Sequence, residues 1–293
     1  MEYKILGNTK ERLSKIGIGT WQLGKNTKEN EKAISLAISK DVNFIDTAEI
    51  YGTEKFVGRV ITGKPGLFIA TKVWATHFRY ESVIKACERS LKNLGIKQID
   101  LYQLHWPNPG IDINKTMKAM EKLVYDGKIR YIGVSNFNEK ELKNAQEAMS
   151  KYEIVSNQVE YNLIQRTPEI NLMDYMKKQK ITLLAYSPFA HGAIFKRKYN
   201  ELIKSLNELG EKYNKTAGQM LLRWLIQKDI VIPLTKASNP KHMLENIAAT
   251  NFNINQKDMH NIDNLTPKNS NFGLSRFKDL IKYYLLFRTL LRI

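Results

Sequence analysis

Leu67-Phe68-Ile69-Ala70-Thr71-Lys72 is a short apolar run that stops on a lysine. A run of this length, rich in branched and aromatic side chains, reads as a strand covered on both faces. The lysine at its end is then a charge at the edge of a buried sheet, where a solvated surface lysine does not belong. Runs of the same kind recur on either side: Ile16–Thr20, Val42–Thr47, Ile99–Leu104, Ile129–Val134, Ile154–Val159, Ile181–Tyr186 and Ile230–Pro233. They alternate with amphipathic stretches that read as helices. These are Glu29–Lys40, Glu81–Leu94, Thr116–Tyr125, Glu139–Met149, Glu169–Lys178, Ala217–Gln227 and Pro240–Thr250. Pro168 and Pro240 sit where a first helical turn tolerates proline, and Gly95 follows its helix as a stop signal.

Eight buried strands alternating with helices in about 250 residues point to an α/β fold, a (β/α)8 TIM barrel. An open doubly wound sheet competes. Its Gly-rich phosphate loop should follow the first strand, but Gly17-Ile18-Gly19-Thr20-Trp21-Gln22 has glutamine where that fingerprint needs a third glycine. No GxxxxGK[ST] loop occurs either. Tyr3–Leu6 and Arg12–Lys15 form a hairpin around Gly7-Asn8, placed to plug the barrel bottom. The expected organisation is one domain over 1–293: a hairpin over 1–15, a barrel over 16–265, and a C-terminal loop and helix over 266–293.

Of the 293 residues, 43% are apolar and 26% charged, which suits a folded chain and excludes a disordered one. A single cysteine, Cys87, excludes an internal disulfide and a Cys-rich zinc site. Met1 to Thr9 has no apolar run of signal-peptide length, and no segment reaches the ~18 apolar residues of a spanning helix. The expectation is a cytoplasmic protein with no membrane span. Lys and Arg number 46 against 29 Asp and Glu, a net charge of +17 that would attract phosphorylated ligands and polyanions. The basic residues are scattered, so a specific nucleic acid partner is not expected.

In a barrel of this kind, polar residues at the C-terminal strand ends face the active site. Taken in order they are Asp46, with Tyr51 five residues on, then Lys72, His105, Ser135-Asn136, Gln158, Tyr186-Ser187 and Lys236. Singly, Asp46 reads as a helix cap, Tyr51 as a core aromatic with its hydroxyl out, and His105 as a satisfied core histidine. In series, Asp, Tyr, Lys and His would converge on one rim.

At these positions the chain resembles the aldo-keto reductase family. The matching stretches are Gly19-Thr20-Trp21, Phe44 to Glu54 around Asp46 and Tyr51, Ile69 to Trp74, Asp100 to Pro107, Gly127 to Phe137, Asn157 to Asn162, Tyr186-Ser187-Pro188-Phe189 and Glu245-Asn246. The resemblance implies a (β/α)8 barrel, reduction of aldehydes or ketones to alcohols by hydride transfer from NADPH, with NADH as the alternative, and no metal. It makes Tyr51 the general acid, Lys72 and Asp46 its activating pair, and His105 the group that orients the substrate oxygen.

Carbonyl reduction builds negative charge on oxygen, so a proton donor and a positive clamp belong there. A free tyrosine, with a pKa of about 10, is a poor acid at neutral pH. An ammonium ~4 Å away favours the phenolate by about 4 kcal/mol at an effective dielectric of ~20. That is a ceiling of roughly three pKa units before desolvation opposes it.

The resemblance also assigns the coenzyme. Gly19, Thr20, Trp21 and Asp46 fall in its site. Ser135, Asn136 and Gln158 would bond the nicotinamide carboxamide, Tyr186 would stack on the ring, and Ser187, Pro188 and Phe189 would line the pyrophosphate path. Lys236, Ala237, Ser238, His242, Glu245 and Asn246 fall at the adenosine end. Lys236 stands where the family places a lysine on the 2′-phosphate, His242 where NADP-preferring members often carry arginine, and Ala237 where serine is frequent. The expectation is NADPH over NADH, by a smaller margin than an arginine would give. Trp21, Tyr51, Trp74, His105 and Trp106 would wall a pocket for a small carbonyl substrate.

The segment from Asn264 onward is where the family varies its substrate loop. Arg276–Ile293 reads as a basic amphipathic helix with Phe277, Leu280, Ile281, Tyr284 and Leu291 on one stripe. The chain is expected to act as a monomer or homodimer. Two rivals remain from the sequence: a non-catalytic NADP(H)-binding sensor subunit on the same fold, and a polyanion binder suggested by charge.

Overall fold

The computed structural model describes residues 1–23, 27–236 and 238–268. The chain opens with the antiparallel hairpin β1 (Tyr3–Ile5) and β2 (Arg12–Ser14), with Tyr3 opposite Ser14. Gly7 in its turn has a φ of 52°, and a Cβ there would stand 2.7 Å from the carbonyl oxygen of Val155. Both the backbone angle and the space require glycine.

Eight parallel strands then close a barrel: β3 (Gly17–Gly19), β4 (Phe44–Asp46), β5 (Phe68–Val73), β6 (Ile99–Leu104), β7 (Ile129–Ser135), β8 (Ile154–Glu160), β9 (Thr182–Tyr186) and β10 (Val231–Thr235). Closure comes from β10 pairing with β3, Leu234 opposite Gly17. Each barrel strand falls on one of the eight runs read from the sequence. The described helices are α1 (Thr27–Ser39), α2 (Glu54–Ile61), α3 (Tyr80–Leu94), α4 (Ile113–Tyr125), α5 (Glu139–Glu147), α6 (Leu172–Lys178), α7 (Asn200–Glu211), α8 (Ala217–Ile226), α9 (Pro240–Ala248) and α10 (Gln256–Asp263). Helices α2, α7 and α10 were not among the expected ones. The expected Glu169–Lys178 helix divides into a 3-10 turn, Thr167–Glu169, and the shorter α6. Pro168 fits the tight turn, and Asn171, at φ −142° and ψ −38°, breaks the helical path before Leu172.

The core has two layers. Side chains on one strand face join the helices in an outer layer that includes Ile45, Ile69, Tyr102 and Leu104. The other face fills the barrel with Phe44, Phe68, Ala70, Leu101, Leu184, Ile232 and Leu234, and the hairpin adds Leu6 and Leu13 to that same cluster. The hairpin thus plugs the N-terminal end as expected. Lys4 fastens it by donating to the carbonyls of Ile226, Lys228 and Val231 at 2.8, 2.5 and 2.7 Å. The expected helix Arg276–Ile293 lies outside the described residues. Among the described residues, no helix is long and apolar enough to cross a membrane.

Candidate active site

The two-residue period of a strand decides what reaches the barrel mouth. Phe68 and Ala70 belong to the interior cluster, so Lys72, two residues further, points inward above them. Phe44 is followed in the same way by Asp46, and Leu101 by Gln103 and His105. The lower rows are apolar and the top row is polar.

Lys72 is fully buried. Its Nζ donates to Asp46 Oδ1 at 2.5 Å, to the carbonyl of Thr47 at 2.9 Å and to the Tyr51 hydroxyl at 3.4 Å. Asp46 Oδ2 accepts from Gln158 Nε2 at 2.9 Å and from Gln103 Nε2 at 3.1 Å. The carboxylate is therefore held by three donors from three strands. Burial lowers the Lys72 pKa, and the charge and hydrogen bond of Asp46 oppose that shift.

Tyr51 lies on the 3-10 turn Glu49–Tyr51, past the end of β4. Its hydroxyl is 3.3 Å from His105 Nε2. Burial, and next the Lys72 charge, push the His105 pKa well below the ordinary imidazole value. Both effects favour the neutral ring. Among the described residues, His105 Nδ1 is buried without a hydrogen-bond partner.

Above this group opens a cavity of about 360 Å³. Its described lining includes Gly19, Thr20, Trp21, Asp46, Tyr51, His105, Trp106, Ser135, Asn136, Gln158, Tyr186, Ser187, Pro188, Phe189 and Lys236. Asn136, in a left-handed conformation at φ 63°, ties the wall together. Its Nδ2 donates to the His105 carbonyl at 3.1 Å and to Ser135 Oγ at 3.0 Å, and its Oδ1 accepts from the Tyr186 hydroxyl at 3.0 Å. Lys236 Nζ donates to the carbonyl of Gln22 at 3.1 Å.

Other expected residues stand apart. Trp74 is not among the residues lining this cavity; its ring packs edge-on against His105, centroids 5.3 Å apart. His242, Glu245 and Asn246 lie on α9, where His242 Nδ1 meets Glu245 Oε2 at 3.1 Å. Ser238 precedes that helix, and Ala237 lies outside the described residues. Sequence reasoning missed four lining residues, Gln22, His191, Gly192 and Leu234. It also missed Gln103, although its place two residues before His105 on a buried strand was a usable signal.

Comparison with known proteins shows what the chain is similar to. The sequence profile of the Aldo/keto reductase family matches residues 15–267. The chain is 38% identical over 256 residues to glyoxal reductase of Bacillus subtilis (strain 168), covering 85% of this chain and 87% of that protein. It is 33% identical over 264 residues to a methylglyoxal reductase of Escherichia coli (strain K12), covering 87% and 92%. A crystal structure of an aldo-keto reductase from Klebsiella pneumoniae in complex with NADPH superposes with a TM-score of 0.85 at 28% identity, covering 93% of this chain and 98% of that one. With most of its length matched in sequence and in fold, the chain belongs to the aldo/keto reductase family.

Proposed function

We propose that this chain reduces small aldehydes or ketones to alcohols with NADPH, Tyr51 acting as the general acid. The observation that carries this is the Tyr51 hydroxyl at the cavity floor, 3.4 Å from Lys72 Nζ and 3.3 Å from His105 Nε2. One contact is cationic and favours release of the phenolic proton. The other is a neutral imidazole, which can share a hydrogen bond with the substrate oxygen without removing the proton Tyr51 must give. Asp46 keeps the buried Lys72 charged and aimed.

The lining chemistry fits NADPH. Ser135, Asn136 and Gln158 offer hydroxyl and amide groups to a carboxamide, and Tyr186 offers a ring wall. Lys236 offers a cation to a phosphate, near the start of α9, whose N-terminus also favours an anion. The bound coenzyme would supply the hydride to the carbonyl carbon. The protein's part is to hold the carbonyl oxygen at His105 and Tyr51 and to deliver the phenolic proton there. Trp21 and Trp106 would exclude water from one side of the substrate. NADPH-complexed and glyoxal- or methylglyoxal-reducing relatives support small carbonyl compounds as the substrate class.

The test is NADPH oxidation with a panel of α-oxoaldehydes and aliphatic, aromatic and sugar aldehydes. Turnover with one or more is expected. NADPH binding with no turnover across the panel would overturn the catalytic reading in favour of a sensor subunit.

A further inference from the structure

Tyr51 is held differently from its partners. Asp46 ends β4 and Lys72 lies within β5. His105 directly follows β6, its backbone N–H donating to the Val73 carbonyl at 3.0 Å. Tyr51 instead sits at the end of a single 3-10 turn with no buried residue and no side-chain cap, followed by Gly52 in the left-handed region at φ 67°. Within the turn, its own N–H reaches the Ala48 carbonyl at 3.1 Å. The phenol adds its contacts to Lys72 and His105 at the far end of the side chain.

The first residue of the turn adds a restraint from outside it. Glu49 Oε1 accepts from the backbone N–H of Trp74 at 2.5 Å and lies 2.9 Å from His77 Nδ1. Its Oε2 lies 3.5 Å from Arg89 Nη2 on α3. The Glu49 side chain is only 12% exposed. Trp74 in turn packs edge-on against His105. The carboxylate therefore links the turn that carries Tyr51 to the residue that backs His105. An acceptor-only group suits the place, because every polar neighbour is a donor or can become one.

We infer that Glu49 is a positioning residue whose carboxylate, by joining the Tyr51 turn to Trp74, sets the phenol of Tyr51 against the imidazole of His105. The inference rests on Tyr51 being the general acid. The Thr47 and Thr53 hydroxyls, 2.9 Å apart, and the Lys72 bond to the Thr47 carbonyl brace the chain on either side of the turn. Loss of Glu49 should consequently loosen the site rather than abolish the fold.

In Glu49→Ala, kcat should fall roughly 10- to 100-fold, the scale of a misplaced catalytic group. KM for the aldehyde should stay within about twofold, since uniform binding is untouched. Glu49→Gln, whose amide oxygen still accepts from Trp74, should recover kcat to within about threefold of wild type. In the coenzyme-free protein, the backbone amide proton of Trp74 should resonate downfield in wild type and Glu49→Gln and move upfield in Glu49→Ala. A Glu49→Ala enzyme with wild-type kcat, a Glu49→Gln enzyme as slow as Glu49→Ala, or an unmoved Trp74 resonance would each overturn the inference. The amide measurement needs no turnover. A wild-type protein that reduced no carbonyl would overturn the functional reading, while the resonance would still decide whether Glu49 ties the two turns.

Discussion

The Tyr51 hydroxyl and His105 Nε2 lie 3.3 Å apart, and their rings meet edge to face with centroids at 5.4 Å. The contact puts a proton donor beside a neutral ring at the floor of the cavity. Removing only the hydroxyl separates chemistry from binding, because the rest of the Tyr51 ring stays to fill its space. In Tyr51→Phe, kcat should fall about 10²- to 10⁴-fold, the usual worth of a general acid. NADPH affinity, read by fluorescence titration, should change little. Turnover within a few-fold of wild type would take the acid role from Tyr51.

His105 sets what the acid side of the pH profile looks like. Its pKa is depressed in the folded protein, by burial first and by Lys72 second. The unfolded chain then binds the proton more readily than the folded one. Stability from this group is complete above the ordinary value of about 6.5 and is lost as pH falls below it toward the lower folded value. The expected profile of kcat/KM is flat from about pH 7 to about pH 6, with no limb centred on a free imidazole. An acid limb near pH 6.5 in wild type that disappears in His105→Gln would contradict this.

Asp46 and Lys72 form a buried pair at 2.5 Å, in which the lysine pKa is lowered by burial and partly restored by the carboxylate. Asp46→Asn removes the restoring charge. Lys72 then loses its proton at lower pH, so the basic limb of kcat/KM should move toward neutrality. The same variant leaves an ammonium buried without its counter-ion, at a cost of about 3–5 kcal/mol. The unfolded chain binds this proton more tightly, so the deficit should shrink as pH rises toward the ordinary lysine value of about 10.4. Melting curves of both proteins from neutral to alkaline pH test this. A deficit that grew with pH would assign the loss to something other than a stranded lysine.

How much of this was legible depended on period and distance. The barrel strands were readable because burial on both faces leaves uninterrupted apolar runs, and Asp46, Lys72 and His105 were readable because each ends one. Helices α2 and α7 carry a helical period instead, Phe56-Val57-Val60-Ile61 and Leu202-Ile203-Leu206-Leu209, with polar residues or glycine interrupting the apolar ones. Trp74 is a different case. A tryptophan just past a strand reads as a pocket wall, and its edge-on packing against His105 is a tertiary contact that no sequence pattern carries. Gln22, His191 and Gly192 enter the cavity from loops with left-handed residues, Gln22 at φ 52° and His191 at φ 55°. Backbone turns of that kind carry no periodic signal.

Coenzyme choice gives the last test. Lys236 points to the Gln22 carbonyl, and the exposed His242 faces Glu245 across 3.1 Å. A carboxylate beside the histidine would compete with a 2′-phosphate for the same side chain. NADPH should therefore be preferred over NADH by kcat/KM, with Lys236 supplying most of the discrimination. Lys236→Ala should raise KM for NADPH much more than KM for NADH. His242→Arg adds a permanent, forked cation that can meet Glu245 and a phosphate together, and should widen the NADPH preference by about tenfold, roughly one charged hydrogen bond. If Lys236→Ala weakened both coenzymes equally, the lysine would be reading the shared pyrophosphate. The selectivity would then have to come from another group on α9.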